Sequence, residues 1–350
     1  MDIEKVGKAI AYLRKRAGYT QKDLADRLGV SDKAVSKWER GIGLPDISYF
    51  GKLAILLDTD TDSLLSGDVI HHDKGWGGLL VLDDNPYGLG ASTMVYDKPM
   101  IYYLLGYFLL VGIKEICIAC NAGEQQWLTR EFGDGSALGI HLHYCGNEPQ
   151  EVQSAVDTHL TCSNAMAVFG RNFIYGVDMT RFFQRAMIHR DRMTILSLPK
   201  KMNGDKPPIR FDDNRKIVNE EEEKLQTQYD YYEIPVLFST REVLFQVCCG
   251  DPKTGRVLNM SAPGIREVPL YTEVLDRGYV EISIDTPDAL ADVTGYVRTV
   301  QKACGMTIYC IEEIAWRRGM ISLEELIAFG RQKADTDYGR YILSFCGQTE

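Results

Sequence analysis

Between Thr20 and Arg40 the chain places caps, apolar positions and a glycine so closely that few local folds are open to it. Thr20 is a good N-cap for a helix over 21–28, with Asp23 three residues on to close the cap from the other side. Gly29 supplies a tight turn, Val30 a buried linker, and Ser31 the cap of a second helix that runs through Arg40. Upstream, Val6, Ile10 and Leu13 recur at helical spacing in a helix that Gly18 ends; downstream, Pro45 and Asp46 open a helix carrying Leu53, Ala54, Leu56 and Leu57. Ala25, Gly29, Val35 and Trp38 are the small and apolar positions that let the two central helices cross closely. The opposite face of the second helix, with Asp32, Lys33, Ser36 and Lys37, is left to solvent.

The charge is distributed to match. The chain of 350 residues has a formal net charge of −10, yet residues 1–44 hold ten Lys/Arg against six Asp/Glu, a balance of +4 that leaves −14 for the remainder. An acidic body with a basic head is the asymmetry expected when one small module alone meets a polyanion. The length suits two or three domains at roughly 100–200 residues each, and the reading is a helical head over 1–67, a linker over 68–78 and a body over 79–350. Nine scattered cysteines, mostly in apolar runs, read as reduced thiols of a cytoplasmic protein rather than a disulfide framework. Cys117 and Cys120 form a CxxC, but no second pair stands at zinc-finger spacing, so core packing is expected and no metal. The first fifteen residues carry charges throughout, unlike a secretory signal, and the most apolar stretch, 100–113, is too short to span a bilayer.

In the body, the apolar run 79–82 reads as a buried strand, followed by a turn-rich loop, a helix over 102–111 and a second strand over 115–119. Strand, loop, helix and strand describe a parallel α/β sheet, whose ligand sites lie at the strands' carboxyl ends.

The run Gly18-Tyr-Thr-Gln-Lys-Asp-Leu-Ala-Asp-Arg-Leu-Gly-Val-Ser-Asp-Lys-Ala-Val-Ser-Lys-Trp-Glu-Arg-Gly41, followed by Pro45, resembles the Cro/cI-type (XRE-like) helix-turn-helix repressors over the whole head. The resemblance implies double-stranded DNA as partner and a dimer reading two half-sites. It places Asp32, Lys33, Ser36 and Lys37 at base edges in the major groove. Lysine suits guanine acceptors, and Asp32 is placed either to accept from a cytosine amine or to cap the helix. Gln21, Lys22 and Arg40 are better placed for phosphates, where they position without specifying.

The body resembles glucose-1-phosphate thymidylyltransferases. The blocks that carry this are Val95-Tyr-Asp-Lys-Pro-Met-Ile-Tyr-Tyr103, Phe132-Gly-Asp-Gly-Ser136, Phe173-Ile-Tyr-Gly176, Glu312-Glu-Ile-Ala-Trp-Arg-Arg-Gly-Met-Ile321 and Asp337-Tyr-Gly-Arg-Tyr-Ile342. They run in order along the body and imply a nucleotide-diphospho-sugar-transferase-like, Rossmann-like α/β fold with a mainly parallel mixed sheet. They also imply magnesium-dependent transfer of a nucleotide onto a sugar 1-phosphate.

The chemistry departs from that pattern. Where the family's Gly-Gly-x-Gly-Thr-Arg-Leu loop should follow the first strand stands Asp83-Asp-Asn-Pro-Tyr-Gly-Leu-Gly90, shorter and without the arginine. Two carboxylates there repel a triphosphate, and Gly90 stands roughly where the family has its catalytic lysine. The metal-binding aspartate of Gly-Asp-Asn is Arg171, and arginine cannot ligate magnesium. Asp285 matches the second metal position, and Lys224 the sugar-phosphate lysine, though Leu225 replaces the proline after it; Glu151 and Ser154 stand near where a glycine and a glutamine hold base and sugar. Each lost electrostatic group is worth roughly 10²–10³ in rate, so no catalytic residue is assigned. Gly88, Gly90, Arg171, Lys224 and Asp285 are retained as ligand-binding candidates, with Arg171 expected to pair with Asp285 and hold a phosphate. The expectation is a transcription regulator whose body forms a homodimer or higher homo-oligomer and senses a nucleotide, sugar phosphate or nucleotide sugar, with no membrane partner and no cofactor. Magnesium enters only under the alternative, an active sugar-1-phosphate nucleotidyltransferase with a regulatory DNA-binding head. In a third reading the body is a scaffold whose pocket is packed shut by Tyr87 and Met94.

Overall fold

Side-chain caps set the helix boundaries of the first unit. The computed structural model describes residues 2–16, 19–57, 59, 61–67, 75–188, 192–200, 209–212, 214–218, 230–248, 269–275 and 278–347, and the chain divides into two compact units, Met1–His71 and His72–Glu350. The first holds α1 (Ile3–Arg16), α2 (Gln21–Leu28), α3 (Asp32–Glu39), α4 (Ile47–Leu56) and α5 (Thr61–Ser66). Thr20 Oγ1 accepts from the Asp23 amide at 3.1 Å while the Asp23 carboxylate accepts from the Thr20 amide at 2.8 Å. Gly29 ends α2 at φ 71°, a left-handed conformation that costs glycine little, and Ser31 Oγ accepts from the Ala34 amide at 3.2 Å. Val6, Ile10, Leu13, Leu24, Val35, Trp38, Leu53 and Leu57 meet in one core. Val30, expected to be buried, is half-buried, and Gly18 lies outside the described residues.

The second unit is built on a seven-stranded sheet. Its strands are β1 (Trp76–Val81), β4 (Glu115–Ala119), β5 (His141–Cys145), β6 (Asn164–Phe169), β8 (Met193–Lys200), β11 (Asp230–Thr240) and β12 (Leu270–Val274), in the order β12-β8-β11-β6-β1-β4-β5. Short pairs complete it: β2 (Met94–Val95) with β3 (Lys98–Pro99), β7 (Asn172–Tyr175) with β13 (Val280–Ser283), and β9 (Arg210–Phe211) with β10 (Ile217–Val218). β5, β4, β1 and β6 run parallel, and β11 is antiparallel to both its neighbours, so the sheet is mixed and mainly parallel. The register sets Val81 beside Ala119 and Phe169, which brings the carboxyl ends of three parallel strands to one edge.

Between these strands lie α6 (Met100–Leu110), α7 (Ala122–Phe132), α8 (Pro149–His159), α9 (Met179–Ile188) and α10 (Arg241–Cys248); after β13 come α11 (Pro287–Cys304), α12 (Ile311–Arg317), α13 (Leu323–Gln332) and α14 (Asp337–Leu343). α6 is apolar all round and every residue from Met100 to Leu109 is buried, as a helix covered on all sides requires. No helix among the described residues is long and apolar enough to cross a membrane.

The linker expected over 68–78 overruns the sheet. β1 starts at Trp76, and its glycines are packing glycines: a Cβ at Gly77 would lie 2.7 Å from Cys162 Sγ, and one at Gly78 2.9 Å from the Phe108 ring. Residues 68–74 lie outside the described residues. Cys117 and Cys120 are buried free thiols, and burial pushes each up to about 12, which leaves them protonated and suited to packing.

Candidate functional site

On the head, Asp32, Lys33 and Lys37 stand exposed on α3, Ser36 is half-buried, and Val35 and Trp38 fill the opposite face. Lys22 is exposed at the start of α2, and Arg40 is exposed with its Nε donating to the Ser36 carbonyl at 3.2 Å. Asp32 does not cap α3; Ser31 does, while the Asp32 carboxylate accepts from the Lys33 amide at 2.8 Å.

Gln21 departs from a purely phosphate-facing role. Its amide donates to Glu39 Oε2 at 2.6 Å, and Glu39 also takes a fork from Arg14, whose Nε and Nη2 lie 2.5 and 3.1 Å from its two oxygens. Arg14 Nη1 donates to the Tyr19 carbonyl at 2.6 Å. The pair is nearly out of water, with side-chain exposures of 9% and 7%. Gln21, Arg14 and Glu39 therefore fix the start of α2 against the end of α3. Sequence reasoning missed this pair, although Arg14 falls four residues after Ile10 on an apolar stripe, where a charge needs a partner.

On the body, the loop after β1 closes over the carboxyl ends of the strands. Five consecutive amides are already satisfied within the protein. Tyr87 and Leu89 donate to Asn85 Oδ1 at 2.8 and 3.4 Å, Gly88 to the Asn85 carbonyl at 3.0 Å, Gly90 to Thr93 Oγ1 at 2.8 Å, and Ala91 to Glu124 Oε1 at 2.9 Å. The loop is seated on Glu124 so closely that a Cβ at Gly90 would lie 2.5 Å from the same oxygen. Backbone amides that could cradle an anion here hold the protein's own acceptors instead. Beneath the loop lies a cavity of about 410 Å³ lined among others by Gly88, Gly90, Asn121, Glu124, Trp127 and Arg171. Tyr87 and Met94, expected to shut it in the scaffold reading, are 59% and 53% exposed.

Arg171 is 3% exposed, so its charge sits inside the body and away from solvent. Its Nη2 donates to the Asp83 carbonyl and lies 4.0 Å from Glu124 Oε1. The expected pair with Asp285 is not formed: the Asp285 carboxylate accepts from Ser283 Oγ at 2.5 Å, and the two segments meet through the Ile284 amide on the Arg171 carbonyl at 2.9 Å. The guanidinium lies under the loop beside the half-buried Glu124 carboxylate, to which it is the nearest cation among the described residues. Burial raises the Glu124 carboxyl above its usual range, against the opposing pull of the Ala91 amide and Arg171. Asp83 is raised as well, by loss of water and by its neighbours Asp84 and Asp285, with Arg171 opposing.

Asp285 joins the loop through its carbonyl, which accepts from Asn85 Nδ2 at 3.0 Å, and does not line the cavity. Lys224 lies outside the described residues. Glu151 and Ser154 line a separate, open depression that shares Asn121 with the cavity. These residues do not fit a magnesium ion bridged by two carboxylates, because one of the two positions carries a guanidinium without acceptor atoms. Among the described residues no group of three or more His, Cys, Asp or Glu could hold a metal ion.

Comparison with known proteins agrees with both halves. Residues 10–64 match the family described as Helix-turn-helix and residues 92–225 that described as Nucleotidyl transferase, the second match beginning beyond the loop over 83–91. A glucose-1-phosphate thymidylyltransferase of Neisseria meningitidis is 28% identical over 256 residues, 71% of this chain and 89% of that protein. One of Mycolicibacterium smegmatis is 27% identical over 270 residues, 74% and 93% of the two chains. A crystal structure from Bacillus anthracis, described as of a glucose-1-phosphate thymidylyltransferase, superposes with a TM-score of 0.52 at 14% identity, over 64% of this chain and 96% of that one. The chain thus joins a helix-turn-helix DNA-binding domain to a nucleotidyltransferase domain homologous to glucose-1-phosphate thymidylyltransferase, in a body with that fold.

Proposed function

We propose that this protein is a cytoplasmic, DNA-binding transcription regulator whose nucleotidyltransferase domain binds a ligand and holds copies together without transferring nucleotides. The observation that carries the reading is the loop after β1. Its amides from Tyr87 to Ala91 have acceptors inside the protein, one of them the Glu124 carboxylate, so none is left for a triphosphate. Arg171 supports the same conclusion, since it brings a cation to a position where magnesium would need a ligand.

In the head, Lys33, Ser36 and Lys37 read base edges, with Asp32 beside them, while Lys22 and Arg40 hold phosphates and Gln21 positions α3 through Glu39. Regulation then requires a ligand that binds one arrangement of paired heads better than another. The effector belongs to the sugar and nucleotide chemistry of the relatives.

Two measurements on the full chain test this. Selection from a random duplex pool is expected to recover a two-fold symmetric site. Magnesium, thymidine triphosphate and glucose 1-phosphate are expected to yield no pyrophosphate above a blank. Sustained pyrophosphate release would instead establish an active transferase with a regulatory head, and failure to select any DNA would remove the regulator.

A further inference from the structure

The outward face of α3 carries its charges in two stripes. Lys33 and Lys37 stand four residues apart, one turn of helix, and both are exposed. Asp32 and Ser36 form the adjoining stripe, with Asp32 exposed and Ser36 half-buried. Val35 and Trp38 are buried in the head's core behind them, which fixes the direction in which both stripes face.

Asp32 is placed by the fold as well. Ser31 caps α3, so the Asp32 carboxylate is not needed there. Its Oδ1 accepts from the Lys33 amide at 2.8 Å, at the amino end of the helix, where the dipole favours a negative charge. A cation and an anion thus stand on neighbouring residues at the end of the second helix of a helix-turn-helix, the end that meets base edges in the major groove.

The base edges sort these groups. Guanine offers a lysine two acceptors side by side, O6 and N7, whereas adenine sets an amine beside its N7. Cytosine offers a carboxylate the N4 amine and no acceptor in the major groove, whereas the adenine amine adjoins N7, which repels a carboxylate. The two stripes lie toward opposite walls of the groove, so the lysines read one strand and Asp32 the other. Over four residues a helix rises about 6 Å, against about 3.4 Å for one base step, so Lys33 and Lys37 reach bases one or two pairs apart.

We infer that each half-site read by this head holds two guanines on one strand, one or two base pairs apart. Lys33 reads the first and Lys37 the second, and Asp32 accepts from the N4 amine of the cytosine paired with the first. The inference rests on the head being a DNA-reading domain and names the sequence class that it reads.

The test uses the full chain. Duplexes selected from a random pool are expected to carry the two guanines in each half-site. Replacing each guanine in turn by 7-deazaguanine, which lacks N7, is expected to weaken binding about fivefold or more, the low end of what one base contact is worth. That measurement uses the parent chain and decides the matter even where a variant fails to fold. Lys33→Gln is expected to move the preferred base at one position from guanine to adenine, whose N6 and N7 a glutamine takes together. Asp32→Ala is expected to reduce discrimination against A·T at that same pair several-fold, with the Lys37 pair unchanged. A recovered site without two guanines at that spacing, no loss with 7-deazaguanine at either position, or variants that weaken all sequences evenly would overturn the inference and leave the head a DNA-binding domain. Failure to recover any DNA would remove that reading itself.

Discussion

Replacing Arg171 by methionine removes the counter-charge from beneath the loop while keeping much of its volume. In the parent, Arg171 is 3% exposed, donates to the Asp83 carbonyl and stands 4.0 Å from Glu124. Losing one partner of a buried pair costs about 3–5 kcal/mol, and a hydrogen bond from a charged donor about 1.5–3 kcal/mol. The contact to Glu124 is long and the carboxyl can take up a proton, so the lower end, about 3 kcal/mol, is expected near neutrality. For a domain of this size that corresponds to a fall in melting temperature of roughly 6–12 °C.

The pH dependence carries the sharper test. Glu124 and Asp83 already bind protons more readily in the folded chain than unfolded, and Arg171 opposes both shifts. Without it their folded values rise further, and the folded state then holds more protons than the unfolded one in the range above the ordinary carboxylate values. Stability therefore falls as pH rises through the folded values, and the deficit of Arg171→Met is expected to be larger at about pH 8 than at about pH 5. Calorimetry of parent and variant at both pH values, following the body's transition separately from the head's, measures this. A variant as stable as the parent at the higher pH, or one whose deficit grows on acidification, would refute the placement of Arg171 as the counter-charge of this cluster.

Further outcomes follow from the same contacts. Glu39→Ala leaves Arg14 buried without its carboxylate and Gln21 without its acceptor; a loss of about 3–5 kcal/mol in the head's transition is expected by calorimetry, with the body's transition unmoved. Lys22→Ala is expected to weaken DNA binding evenly across sequences and reduce the salt slope by about 1, whereas Lys33→Ala costs about 1–3 kcal/mol and relaxes preference at one base pair, both read in titrations over a salt series. Gly90→Ala pushes a methyl to 2.5 Å from Glu124 Oε1 and should break the Ala91 contact, costing about 2 kcal/mol in the body's transition, with unchanged stability as the refuting result.

How far the sequence revealed this structure depends on how local each determinant is. Thr20, Asp23, Gly29 and Ser31 act within a few residues, so the head's helices were legible from the chain alone. Gln21 was legible only as a helix-start polar residue, because its partner Glu39 lies eighteen residues on and is itself held by Arg14. The start of β1 is hidden in the sequence for a related reason. Trp76-Gly-Gly looks like linker until Phe108 and Cys162 are seen to lie where side chains would stand. In the body, the losses of the loop arginine, the lysine and the metal carboxylate were visible as departures from a pattern. Their replacement by internal contacts was not, since Glu124 lies thirty-three residues beyond the amide it receives.

Those departures make sense as one compensated arrangement. A loop rich in inward amides cannot stay ordered with those amides unmet, because a buried unsatisfied donor costs about 1–3 kcal/mol. Glu124 meets one of them, but it is then a carboxylate in a dry place and needs a cation, which Arg171 provides from the turn after β6. With Arg171 there, a divalent ion at the same place would bring charge against charge. Restoring one piece therefore should not restore the chemistry. Arg171→Asp alone would set a new carboxylate among Asp83, Glu124 and Asp285, all without the guanidinium, and is expected to destabilise the body more than Arg171→Met does. It should also release no pyrophosphate from thymidine triphosphate. Calorimetry beside the pyrophosphate assay checks both. Magnesium-dependent turnover in that single variant would mean the loop can give up its internal acceptors readily, and that Arg171 alone separates this body from a working transferase.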